Sequence, residues 1–161
     1  MTEGPHTPMR CSVVTVADAP ELDQAAQTVM AALAQCSEVV ATQAQGQTPE
    51  ADAHAALLIC DGPSLADTLA LVTRLRAQQP SGAVLALCTQ ADAAMLSALM
   101  GAGVYDFVLL PATPAEVLVR VQRALGLMPA TTPLDLRGVL TPRMRNFVGA
   151  SPAFARQVAK L

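Results

Sequence analysis

Asp61 is the residue of this 161-residue chain whose type and position point most directly to chemistry. It follows the apolar run Ala56-Leu57-Leu58-Ile59-Cys60 and is followed at once by Gly62-Pro63. A run too short for a helix and stopped by Gly-Pro predicts a buried parallel strand with an acid at its carboxyl edge. In open α/β sheets, ligands and chemistry sit at that edge. Asp18 lies just past a β-branched run, and Cys88 ends another apolar run with Thr89 beside it. The remaining reactive side chains form no constellation. Cys11, Cys36, Cys60 and Cys88 are far apart, which fits neither a CxxC zinc pattern nor a disulfide framework and predicts buried free thiols. His6 and His54 fall in an expected tail and loop. Ser151 has no His/Asp pattern to activate it and reads as a helix cap. These residues imply no catalytic group, no metal and no cofactor.

The elements that position them follow from periodicity. Strands are expected at residues 10–16, 38–42, 56–60, 83–88 and 106–110, each rich in apolar or β-branched residues and bounded by turn formers. Helices are expected at 20–36, 65–79, 92–100 and 114–125, with a brief additional one at 49–54. Pro20 with Glu21 and Thr113 with Pro114 start two of them, and Gly101-Ala102-Gly103 stops the helix at 92–100. Alternating strands and helices predict an α/β fold: a five-stranded parallel sheet with helices on both faces. Right-handed crossovers favour the flavodoxin-like order 2-1-3-4-5. Its carboxyl edge gathers Asp18, Asp61, Cys88 and Leu110.

Composition sets the outer limits. With 52% hydrophobic residues the chain can build the core of one domain plus an appendage. Its longest apolar runs, about six residues, are well short of a bilayer span. The N-terminus lacks the charged start and apolar segment of a signal peptide, so the expectation is a cytoplasmic protein with no membrane partner. Residues 1–127 hold twelve acidic residues against five arginines, whereas residues 128–161 hold Asp135 against Arg137, Arg143, Arg145, Arg156 and Lys160. That shift predicts a boundary near Met128, with residues 1–9 disordered, a domain at 10–127 and a linker at 128–146.

Three stretches resemble the receiver domain of response regulators. They are Leu71 to Pro80, Val84 to Cys88, and the run Ala98-Leu99-Met100-Gly101-Ala102-Gly103-Val104-Tyr105-Asp106-Phe107-Val108-Leu109-Leu110-Pro111. The resemblance spans residues 10–127. It implies a phosphoacceptor aspartate, further acids around a divalent cation, and a lysine and a hydroxyl residue on the phosphoryl oxygens, all serving charge neutralisation. This chain departs from that pattern. Leu110-Pro111 stands where the family has Lys-Pro, and the chain's only lysine is Lys160. Cys88 stands at the switch hydroxyl position, with Thr89 as the neighbour that a one-residue shift would supply. Asp18 stands alone between Ala17 and Ala19 where the family has adjacent acids. Counting back from Cys88 places Cys60 at the acceptor position, and Asp61 takes it only with a one-residue adjustment. Phe107, flanking the aromatic switch position with Tyr105, is the favoured switch residue.

A second resemblance begins at Phe147-Val148-Gly149-Ala150-Ser151-Pro152-Ala153-Phe154. It is similar to the Val-Gly-x-Ser-Pro segment opening the AAA+ domain of sigma-54-dependent transcription activators. Residues 147–161 are expected to be its truncated start, ahead of any Gly-x-x-x-x-Gly-Lys loop. Together the resemblances imply an atypical, phosphorylation-independent receiver that regulates oligomerisation of the AAA+ module through protein contacts and is not an enzyme. The implied homodimer surface is the family's helix 4, strand 5 and helix 5, drawing on Leu96, Met100, Val108, Val117 and Val121. Its other partners would be its own AAA+ and DNA-binding domains, with sigma-54 RNA polymerase and DNA reached through regions absent here. A working phosphoreceiver using Asp61, and a small-molecule sensor using the apolar edge near Leu110 and Cys88, are the alternatives.

Overall fold

The structure, a computed structural model, describes residues 7–44 and 48–127. The expected linker at 128–146 and the segment at 147–161 lie outside them, as do residues 1–6 of the expected tail. Five parallel strands form one sheet in the order β2-β1-β3-β4-β5: β1 (Met9–Thr15), β2 (Val39–Gln43), β3 (Ala55–Cys60), β4 (Ala83–Cys88) and β5 (Asp106–Leu109). Four helices cover it: α1 (Pro20–Leu33), α2 (Leu65–Gln78), α3 (Ala93–Ala102) and α4 (Pro114–Ala124).

β3 is the middle strand, and all six of its residues are buried. Its alternation divides the core in two. Leu57 and Ile59 join Leu22, Val29, Leu33, Val117 and Val121 under α1 and α4. Leu58 and Cys60 join Leu71, Val72, Leu75, Met95 and Leu99 under α2 and α3. A strand buried on both faces has to be apolar at every position, which is why residues 56–60 read as an unbroken run.

The helix expected at 49–54 is absent; those residues form a turn at 51–52 with irregular backbone on either side. Six residues supply too few internal hydrogen bonds to offset nucleation, and their backbone finds partners elsewhere. Glu50 N donates to Ser12 Oγ at 3.3 Å, and His54 N donates to the Arg10 carbonyl at 2.8 Å. Arg10 N donates to His54 Nδ1 at 3.0 Å, the Arg10 guanidinium pairs with Asp52, and the Gln79 amide donates to the Ala51 carbonyl. Ala53, within this strap, is buried. Val40 of β2, the register partner of Arg10, stays 43% exposed.

Helix ends follow local rules. Asp92 Oδ1 accepts from Met95 N at 2.8 Å to cap α3, and Thr113 and Glu116 form a reciprocal capping box on α4. α3 ends at Gly103, whose φ of 104° is left-handed, and Val104 N then bonds back to the Leu99 carbonyl at 3.2 Å. A Cβ at Gly103 would meet only ordinary contact, 3.4 Å from Arg76. Gly103→Ala is therefore expected to cost about 1–2 kcal/mol through the backbone alone. The check is a lower urea midpoint at unchanged m-value.

Candidate functional site at the carboxyl edge

The carboxyl ends of β3 and β4 are in register, with Cys60 opposite Cys88. Both point into the α2 and α3 side of the core at 0% exposure, and their Sγ atoms lie 3.6 Å apart in a thiol–thiol hydrogen bond. That bond and burial push the Cys88 thiol far above its usual range, while the same bond lowers Cys60 against the opposing effect of burial. The hydroxyl of Thr68, also fully buried, donates its one hydrogen to the Ser64 carbonyl at 2.8 Å. The ladder continues past the thiols: Thr89 N donates to the Cys60 carbonyl at 3.0 Å, and Leu110 N to the Cys88 carbonyl at 2.8 Å.

Asp61 sits one residue beyond, half-buried, in a closed turn with Ser64. Ser64 N donates to Asp61 Oδ1 at 2.9 Å, Asp61 N donates to Ser64 Oγ at 3.0 Å, and Ser64 Oγ donates to the Asp61 carbonyl at 3.1 Å. One carboxylate oxygen thereby serves the approach to α2. Asp61→Ala is expected to cost about 1 kcal/mol, the worth of a cap, with the fold retained. Urea unfolding followed by circular dichroism checks it.

The other predicted residues occupy the same edge with different exposures. Asp18 is exposed on the loop after β1, Thr89 is half-buried, and Leu110 is half-buried against the α1 and α4 side of the core. Leu110 precedes a cis peptide to Pro111. Beside it, Glu21, Ala25, Thr28, Thr89, Gln90, Leu110, Pro111 and Ala112 line an open groove of about 320 Å³. Phe107 packs half-buried against the α2 and α3 side, whereas Tyr105 is 52% exposed.

Of the five residues named for a dimer surface, Leu96, Val108, Val117 and Val121 are buried in the core. Met100 alone is exposed, at 45%. Between β5 and α4, Arg120 Nη1 meets Asp106 Oδ2 at 2.6 Å, a partly buried pair. Sequence reasoning missed this pair, and it missed Ser64 and Thr68. The spacing Asp61-x-x-Ser64 just before an apolar periodic stretch was the available signal for the turn. Among the described residues, no group of three or more His, Cys, Asp or Glu is placed to hold a metal ion, and no helix is long and apolar enough to cross a membrane.

The strand order, the helices on both faces and the edge where the loops converge define a flavodoxin-like fold of the receiver type. Comparison with solved structures gives the same class. A response regulator from Thermotoga maritima is 20% identical with a TM-score of 0.59, over 74% of this chain and 99% of that one. A candidate pilus assembly-related protein from Burkholderia pseudomallei is 20% identical with a TM-score of 0.59, over 80% and 98%. A CheY-like protein (tadZ) from Pseudomonas aeruginosa is 23% identical with a TM-score of 0.54, over 70% and 98%. No protein-family model and no curated protein matches the chain. The likenesses are of fold.

Proposed function

We propose that this chain carries the regulatory receiver-like domain of a sigma-54-dependent transcription activator, and that it works through protein contacts without accepting a phosphoryl group. The observation that carries the second half is the carboxyl edge itself: the strand ends hold a buried thiol pair, Cys60 and Cys88, and Leu110 lies nearby. Phosphoryl transfer to a carboxylate needs cationic neutralisation of the transferring oxygens. The chain's only lysine is Lys160 in the C-terminal segment, and Asp61 Oδ1 already accepts from Ser64 N. The assignment to an activator rests on the resemblance of Phe147 to Phe154 to the start of its AAA+ domain. On this reading the domain at 10–127 holds or releases AAA+ oligomerisation, with the α3, β5 and α4 face, where Met100 and Tyr105 are exposed, as the homodimer surface.

An NMR titration with beryllofluoride and magnesium tests the phosphorylation-independent reading. The amide resonances of Asp18, Asp61 and Cys88 are expected to stay in place, and saturable shifts there would establish a working phosphoreceiver instead. The activator assignment is tested separately by the coding sequence downstream of Leu161. A Gly-x-x-x-x-Gly-Lys loop followed by a C-terminal helix-turn-helix is expected. Absence of that loop would sink the assignment and would turn attention to the pilus-related likeness.

A further inference from the structure

We propose that Cys60 and Cys88 form an oxidisable dithiol, closed to a disulfide across β3 and β4 by a hydroperoxide. The two residues are register partners on neighbouring strands, project to the same side of the sheet and stand with their sulfurs 3.6 Å apart. Disulfide closure requires the sulfurs to come to about 2.05 Å, a movement of roughly 1.5 Å. Position makes that movement attainable, because this is the last register pair of β3 and β4, followed by one further backbone bond, Thr89 N to the Cys60 carbonyl, and then by the loops that begin at Asp61 and Thr89. The other two cysteines lie on the opposite side of the sheet, with Cys11 in the α1 and α4 core and Cys36 packed against it. All four are free thiols.

Burial selects the oxidant. Both thiols have no exposed surface, so a bulky disulfide such as oxidised glutathione is excluded by size, while hydrogen peroxide is close to the size of a water molecule. Either sulfur can donate in the 3.6 Å contact, so either thiol can open the reaction, here Cys60. Its sulfur attacks the peroxide O–O bond, gives Cys60 sulfenic acid and releases one water. The Cys88 sulfur then attacks the sulfenic sulfur; the S–O bond breaks as the S–S bond forms, and the departing oxygen takes the Cys88 proton to leave as a second water. Two thiols and one hydrogen peroxide become one disulfide and two waters, and the two electrons pass from the sulfur pair to the peroxide. The link draws together the strand ends that lead into the Asp61–Ser64 turn and the Thr89 loop. This inference does not depend on the activator assignment or on the absence of phosphorylation.

The test uses the full 161-residue chain. After hydrogen peroxide treatment under native conditions, non-reducing peptide mapping by mass spectrometry is expected to find a Cys60–Cys88 linked peptide. The intact mass should be lower by two hydrogens, two of the four thiols should be lost, and dithiothreitol should reverse all three changes. The doubly substituted Cys11→Ala/Cys36→Ala chain should still form the link. Cys60→Ala and Cys88→Ala should each abolish it, with circular dichroism and a cooperative urea transition confirming that each variant is folded. Retention of both Cys60 and Cys88 as thiols while Cys36 is oxidised would overturn the proposal. So would a link that includes Cys11 or Cys36, or a Cys60–Cys88 link that forms only in urea.

Discussion

Replacing Cys60 with aspartate is expected to destabilise the domain by about 3–5 kcal/mol, the range for a buried charge left without a partner. The substitution installs the carboxylate that a phosphoreceiver would use, at the strand position opposite Cys88. That position is closed to water and surrounded by Leu58, Ala86, Val72 and Leu99 in one apolar cluster. The available donors are the Cys88 thiol and the Thr68 hydroxyl, which already donates to Ser64. Two weak neutral donors do not replace the solvation of a carboxylate, so the new acid is held protonated well above its usual range. The pH dependence has a definite sign. In the unfolded chain the carboxyl ionises near pH 4, and in the folded chain it keeps its proton to higher pH, so the variant loses stability as pH rises from about 4 toward neutrality. Cys60→Ala is the control for volume and lacks that pH dependence. Urea unfolding between pH 4 and pH 7 reads both quantities. If Cys60→Asp unfolds at the wild-type midpoint throughout, the edge is wet and polar, and the closed-edge description fails.

The fold was legible because its two central strands announce themselves. Residues 56–60 and 84–88 are buried on both faces and therefore apolar at every position, a signal that depends on no tertiary detail. Once five strands alternate with helices, right-handed crossovers leave few orders, and 2-1-3-4-5 is the one observed. The strap at 48–54 was illegible for the opposite reason. Its backbone is satisfied by Ser12, Arg10 and Gln79, residues distant in the sequence whose approach no local pattern encodes. The dimer-surface residues show a related limit. Apolar spacing says that Leu96, Val108, Val117 and Val121 avoid water, but it does not distinguish a core from an interface; all four lie in the core.

At the site, residue types were legible and their alignment across the strands was not. Cys60 and Asp61 are adjacent, and a shift of one residue along a strand exchanges the core face for the opposite face. Only the β3–β4 ladder fixes which of them stands opposite Cys88, and it pairs Cys60. Asp61 then falls in the turn, where Ser64 engages its backbone and carboxylate together. The absence of a lysine before Lys160 needed no alignment to be read, and it remains the strongest chemical statement the sequence makes about this edge.

Alkaline conditions are expected to weaken the domain through Cys11, on the other side of the sheet. Cys11 lies in β1 at 1% exposure, and its thiol is pushed up to about 12, by burial first and then by the neighbouring Cys36. In the unfolded chain the same thiol loses its proton near 9, its ordinary value. Below that pH both states hold the proton and stability is insensitive to it. Between pH 9 and pH 12 the folded state alone retains the proton, so the unfolded state binds fewer protons and stability falls by about 1.4 kcal/mol per pH unit. The accumulated loss over that window is about 4 kcal/mol, a large share of the 5–15 kcal/mol typical of a domain. Other groups titrate in the same range, so the measurement is a difference. Urea unfolding of the wild type and of Cys11→Val from pH 8 to pH 11 should show a shallower decline in the variant, whatever its stability at neutral pH. Parallel declines would mean that Cys11 ionises alike in both states and that the β1 face of the core is open to water.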